Sequence, residues 1–325
     1  MGIIDTLSAG FDRVTRHLWL ILIPAVVDIA IWTGPRLSIS RLSQRAIAAL
    51  PGVQELGAQY EQSLQMFEDL LIELGEGVNL LSLLSMRALG LRSLGGLAAP
   101  QSAPFSAAPR IIEMRTWSEL AVTSLALTLL GVLIGCLFLT WIAQDLREEG
   151  LTLRTVLQRS GRSWYRLVML GLAAVAIVVL ALLAISFAYT MLAMLSPQIA
   201  ALGMSLFAIV SLWLSAYASM VFFFTVRALF GHNMSMLRSL WAGLNVLHRN
   251  FLSALGFLIL VYVIQAGLSY IWRELAVNVA GTLIGIMGNA YVSTGLVMAS
   301  FIFYRDRFVA WQEARRLELI NKGKP

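Results

Sequence analysis

The chain has 325 residues, of which 58% are hydrophobic and 13% charged, with a mean hydropathy of +0.78 and a net charge of +6. Soluble domains carry about 25% charged residues, so this composition excludes a water-soluble globular protein and makes lipid the solvent. A single cysteine, Cys136, excludes an intramolecular disulfide.

Residues 1–35 read as a surface helix followed by a first span. Gly10, Val14 and Arg16 begin a pattern that returns further on, and the apolar run Leu18 to Trp32 follows it. Pro24 removes a backbone donor, so a kink is expected there. Asp28 lies about 15 Å along the run by the helical rise. An intramembrane carboxylate is a candidate proton or cation ligand. Its other reading is structural: a partner for an outer arginine such as Arg36, Arg115 or Arg273, or a protonated group bonded to a neighbouring helix. Pro24, Asp28 and Trp32 also argue that this run is retained and not cleaved as a signal peptide.

Residues 36–116 form the one large extramembrane insertion, expected to be helical and extracytoplasmic. Val53, Leu56, Tyr60, Leu64, Phe67, Leu71 and Leu74 follow a 3-4-4-3-4-3 spacing, which predicts an amphipathic helix over 53–74. Glu55, Glu61, Glu68, Asp69, Glu73 and Glu76 crowd its other surface. An acidic face adheres poorly to anionic lipid, so this helix is expected to pack on protein, either its own or a partner's. Val78 to Leu91 is apolar but too short to span, and is expected to be buried or half-sunk in the interface. Gly95 to Pro109 reads as a linker.

Residues 117–304 hold five further runs: Leu120–Ile142, Leu167–Leu195, Ile199–Val226, Phe251–Ile271 and Val277–Tyr304. With the first, they predict an all-α polytopic bundle of six transmembrane helices arranged as three hairpins. Each hairpin begins with a small residue followed six positions later by an arginine: Gly10 and Arg16, Ser160 and Arg166, Gly243 and Arg249. Each such stretch predicts a short amphipathic helix whose terminal arginine reaches lipid headgroups. Gly131 and Gly135, and Gly281 and Gly285, give the same Gly-x-Leu-Ile-Gly string in two spans, and Ser211, Ser215 and Ser219 form a small stripe in a third. Spacing of this kind predicts close helix packing. Gln265, Ser269 and Asn289 are polar residues that could join Asp28 in an internal polar site.

Residues 305–325 are a basic tail containing both lysines, Lys322 and Lys324. The segment 227–250 carries Arg227, Arg238 and Arg249 and no acid, which puts it, and with it both termini, on the cytoplasmic side by the positive-inside rule. Contact with membrane lipids and anionic headgroups explains the basic face, and no nucleic-acid platform is present. Phosphate-loop, zinc-pair and nucleophile-elbow motifs are absent, and His17, His232 and His248 are widely spaced, so no catalytic residue, cofactor or metal site is expected.

Phe224-Thr-Val-Arg227-Ala-Leu-Phe-Gly231, then Ser235, Ser239 and Trp241, then His248-Arg249-Asn250-Phe251, resemble the inner-loop pattern of a broad group of six-helix bacterial membrane proteins. That group includes the membrane domain joined to glycerophosphoryl diester phosphodiesterases and relatives of uncharacterised activity. Arg16-His17-Leu18-Trp19 and the run Pro24, Asp28, Trp32, Gly34-Pro35-Arg36 carry a similar resemblance. It implies a hairpin-repeat fold in a bacterial plasma membrane and no particular activity. This chain departs from the phosphodiesterase branch in having no catalytic barrel, and from compact relatives in its large insertion. The expected function is non-enzymatic handling or transport of a lipid-like or hydrophobic substrate. The alternative is a structural or accessory subunit that uses the 53–74 helix to bind protein.

Overall fold

The computed structural model describes residues 2–50, 61–95, 111–148, 153–232 and 234–322. The protein is all-α and multi-pass: five helices are long and apolar enough to cross a bilayer, or six if the bent pair Ile3–Arg16 and Leu18–Thr33, at 96° to each other, counts as one span. In order they are α1 (Ile3–Arg16), a 3-10 turn (Leu18–Ile21), α2 (Leu22–Thr33), α3 (Ser40–Ala48), α4 (Glu61–Gly77), 3-10 turns at Leu80–Leu84 and Arg87–Leu89, α5 (Trp117–Leu146), α6 (Leu153–Leu195), α7 (Pro197–His232), α8 (Met236–Arg249), α9 (Phe251–Leu275) and α10 (Val279–Lys322).

Local sequence explains most of the breaks. Pro197 disfavours helix at Ser196 and, with its fixed φ, opens α7. His17 (φ −126°) and Asn250 (φ −124°) interrupt the chain after Arg16 and Arg249, so α1 and α8 are separate amphipathic helices as expected. The third such helix is not separate. Leu167, a strong helix former, stands where the others have His17 and Asn250, and α6 runs unbroken from Leu153 through Arg166 into its span. Nor does Pro24 produce a kink. It is the third residue of α2, where a missing N–H costs no helical bond, and the break lies upstream at the 3-10 turn. That turn and α2 together reach about 26 Å, near the thickness of the hydrocarbon core.

The chain divides into two compact units. The first comprises Met1–Phe11, Leu139–Leu260 and Val297–Pro325. Its centre is aromatic: Phe257 stacks on Phe303 at 4.6 Å, Phe224 lies 6.0 Å from Phe303, and Tyr304 stacks on Phe308 at 5.6 Å. α8 presses its buried stripe, Ser239, Ala242, Gly243, Val246 and Leu247, against protein. Gly243 is needed there, because a Cβ would sit 2.7 Å from the Thr225 backbone nitrogen of α7. Leu237 and Trp241 remain exposed on the other face, available to lipid.

The second unit comprises Asp12–Phe138 and Val261–Leu296. Two short strands, β1 (Arg36–Ser38) and β2 (Ile111–Glu113), pair in parallel and bracket the insertion, an addition to the helical architecture that the sequence did not announce. Leu42, Leu80 and Met114 form a small core beside them. Asn79 stitches the apolar segment down by accepting from the Leu37 and Leu81 amides, both at 3.1 Å. α4 begins, among the described residues, at Glu61; Val53, Glu55, Leu56 and Tyr60 of the expected 53–74 helix lie outside them, as does most of the Gly95–Pro109 linker. α4 meets α3 through Gly75, whose carbonyl accepts from Ser40 Oγ at 3.1 Å. Its apolar stripe is less covered than expected: Leu64 and Leu71 are half-buried, while Phe67 and Leu74 are exposed together with Met66 and Leu70.

Candidate functional site

Asp28 is 2% exposed and sits within the second unit, where segment 91–95 folds back onto α2. Its Oδ1 accepts from Ser93 Oγ at 2.5 Å and from the Gly95 amide at 2.6 Å, and its Oδ2 accepts from the Leu94 amide at 2.9 Å. The Asn289 side chain of α10 lies beside this carboxylate. Two consecutive backbone amides with a hydroxyl make a small anion-binding nest, here occupied by a residue of the chain itself. Asn289 further donates to the Arg92 carbonyl at 2.8 Å and accepts from Gln265 Nε2 at 3.3 Å. Gly95 is required by this closure, since a Cβ would sit 2.6 Å from the Asp28 carbonyl oxygen and 2.8 Å from Trp32 Cβ.

Three of the four residues expected to form a polar site, Asp28, Gln265 and Asn289, are therefore linked. Ser269 is half-buried one turn beyond Gln265 and no hydrogen bond joins it to them. None of the outer arginines considered as a partner for Asp28 takes that part; backbone amides do. Arg92, on the loop itself, is half-buried and held below the usual arginine range by burial and then by Arg87, with Tyr262 opposing.

The glycines serve this same loop. A Cβ on Gly131 would sit 3.1 Å from Leu84 Cα and closer still to the Leu83 carbonyl, and one on Gly135 would strike the Leu89 side chain. At Gly285 it would meet Leu94 Cδ2 at 2.7 Å. Gly131 and Gly135 were expected to seat a neighbouring span but seat the apolar segment of the insertion, whereas a Cβ on Gly285 would meet both Leu94 and, at 3.3 Å, the Trp272 carbonyl of the neighbouring span α9. Gly281 does bring helices together, its face closed by the Leu275 carbonyl at the α9–α10 turn. Ser215 and Ser219 pack no helix: both are exposed and bond back to Leu212 and Ser215 carbonyls, while Ser211 is half-buried.

The first unit holds a different kind of polar cluster, one the sequence reading missed. A cavity of about 450 Å³ is walled by Ala143, Leu146 and Phe301 and bordered by Arg147, Glu148, Gly231, His232, Tyr304 and Arg305. The Tyr304 hydroxyl is buried with no hydrogen-bond partner. Arg147 donates to the Phe230 carbonyl, answering the last turn of α7. Arg227, 2% exposed, lies one turn before Gly231 on α7. Its Nε donates to Ser300 Oγ at 2.9 Å, its Nη1 lies 3.5 Å from the Phe223 carbonyl, and its guanidinium stands 3.8 Å from the Phe223 ring centroid and 5.9 Å from that of Phe301. No carboxylate among the described residues pairs with it. The only signal in the sequence was Arg227 falling inside the helical continuation of the fourth apolar run.

Of the arginines expected at headgroups, Arg16 and Arg249 are exposed at the ends of α1 and α8. Arg166 is half-buried and uses one nitrogen to hold the Met234 carbonyl at 2.9 Å. Among the described residues no cluster of His, Cys, Asp and Glu could hold a metal ion. No family model, no curated protein and no solved structure matches this chain.

Proposed function

We propose that the protein handles a lipid-like substrate without catalysing a reaction on it, and that the cavity of the first unit is where the substrate sits. One observation carries this reading: the cavity has an apolar wall of Ala143, Leu146 and Phe301 and a polar border of Arg147, His232, Tyr304 and Arg305, an amphiphile's two chemistries side by side. The arginine bias of 227–250 supports a cytoplasmic position for that border, with the N-terminus and the 305–325 tail on the same side of a bacterial plasma membrane. The Phe224–Phe251 pattern supports kinship with the six-helix bacterial group as a fold relation only. Asp28 enters this reading as the clamp on the insertion loop, because its oxygens are already engaged.

Native mass spectrometry of the gently solubilised full chain tests the proposal. The Gly231→Leu variant is the comparison, since Gly231 has no neighbour closer than Phe301 Cδ1 at 3.9 Å and an added side chain fills the cavity without meeting backbone. Wild type is expected to retain a bound amphiphile that the variant loses. A wild type that carries none, or a variant that carries the same one, removes the reading.

A second reading, an accessory subunit, is favoured by α4. Its exposed Met66, Phe67, Leu70 and Leu74 lie on one face beside Asp69 and Glu73, an apolar strip with an acidic edge of the kind that meets protein. Co-purification of a stoichiometric partner that Leu70→Glu releases would establish it, and a solitary monodisperse chain would count against it.

A further inference from the structure

Building on the lipid-handling reading, we infer that the cavity bordered by Arg147, His232, Tyr304 and Arg305 holds a negatively charged phosphate group, either a phospholipid head or a free phosphate. Arg227 is buried behind this cavity. Burying a guanidinium in a membrane protein is expensive unless an opposite charge answers it. Here a hydroxyl, a distant carbonyl and two aromatic rings surround it, all neutral. Phe301, one of those rings, is also cavity wall, so the uncompensated charge lies directly behind the surface a ligand would touch.

The second observation is independent. Tyr304, 1% exposed and part of the cavity border, has a hydroxyl with no partner. A buried donor left unpaired is costly, and an acceptor supplied by a ligand would recover that cost. Negative charge already present is modest. Glu148 borders the cavity, and the carbonyl end of α7 is answered by Arg147 through the Phe230 carbonyl. Arg305 is exposed, and the His232 ring lies tilted against Phe308 at 4.4 Å.

Phosphate fits this set better than carboxylate does. Its several oxygens accept from a guanidinium fork, a phenol and an imidazole at once, and guanidinium matches its geometry in a two-pronged fashion. The space of about 450 Å³ also exceeds what a lone carboxylate needs, leaving room along Leu146 and Phe301 for the glycerol and first methylenes of a lipid.

The test uses the purified full chain in neutral detergent, with binding followed by native mass spectrometry and tryptophan fluorescence. Four probes are compared: phosphatidylglycerol, diacylglycerol with the same acyl chains, oleate and inorganic phosphate. Phosphatidylglycerol is expected to bind at least tenfold tighter than diacylglycerol. Tyr304→Phe and Arg305→Gln, which change little volume, should each weaken it about five- to tenfold and leave diacylglycerol unaffected. Displacement by inorganic phosphate assigns the site to free phosphate as well, and failure to displace assigns it to the lipid head. Equal binding of diacylglycerol, oleate and phosphatidylglycerol, or indifference to both substitutions, overturns the phosphate inference while lipid handling stands. Binding of inorganic phosphate that Arg305→Gln abolishes, with no amphiphile retained, keeps the phosphate site and removes lipid handling. If no probe binds, both fall.

Discussion

Asp28 and Arg227 are both 2% exposed and both carry charge-bearing groups on apolar helices, yet their surroundings are opposite. Around Asp28 the chain brings a hydroxyl, two backbone amides and a side-chain amide to meet one carboxylate. Around Arg227 it brings only neutral groups and leaves the charge unanswered. A charge whose bonding capacity is filled from within the chain serves the fold, whereas one met only by neutral groups leaves a positive field that an anion would answer. The contrast moves the expected functional position from the first carboxylate to the second cation.

The largest effect that would break this comparison is at Asp28. Asp28→Ala leaves the Leu94 and Gly95 amides without their acceptor, and is expected to lower stability by about 3–5 kcal/mol, read by unfolding in mixed micelles. Wild-type stability in that variant would mean the loop does not depend on its clamp. Arg227→Met sharpens the other side. Removing an unpaired buried cation for an apolar chain of similar length should leave stability unchanged or raise it by about 1–3 kcal/mol, while abolishing any preference for anionic over neutral lipid. Loss of stability there would show that Ser300 and the rings are sufficient company for the charge.

A smaller effect separates the glycines. Gly135→Val, where a side chain would strike Leu89, is expected to cost about 1–3 kcal/mol by overpacking. Gly171→Ala on α6, with nothing within 4 Å, should be neutral or stabilise by about 0.5–1 kcal/mol through helix propensity. Equal responses at the two positions would remove the claim that the insertion rests in the α5 groove.

Much of the fold was legible because its signals are local. Apolar runs of sufficient length must become helices in lipid, since no water satisfies their backbones, and all six expected runs are helical. The separate α1 and α8 were legible for the same reason, from periodicity and the residues after Arg16 and Arg249. What periodicity did not reveal was which partner covers a face. The repeated Gly-x-Leu-Ile-Gly string looks the same in α5 and α10, but Gly131 and Gly135 meet Leu83, Leu84 and Leu89, whereas Gly281 meets the Leu275 carbonyl. α6 shows the limit from the other side: none of its most apolar 18-residue window is buried, while 83% of that of α10 is, although both are long and apolar enough to span.

By itself the sequence determined the solvent, the helical type of the apolar runs and the expense of an acid at position 28, because hydrophobicity and helical rise act residue by residue along the chain. Only the tertiary structure decided that segment 91–95 returns to fill the bonding capacity of Asp28, and that Tyr304 and Arg305 border a cavity whose Phe301 wall backs onto Arg227. Those outcomes depend on groups far apart in sequence meeting at hydrogen-bond distance, and no spacing within a single helix encodes which of them will meet.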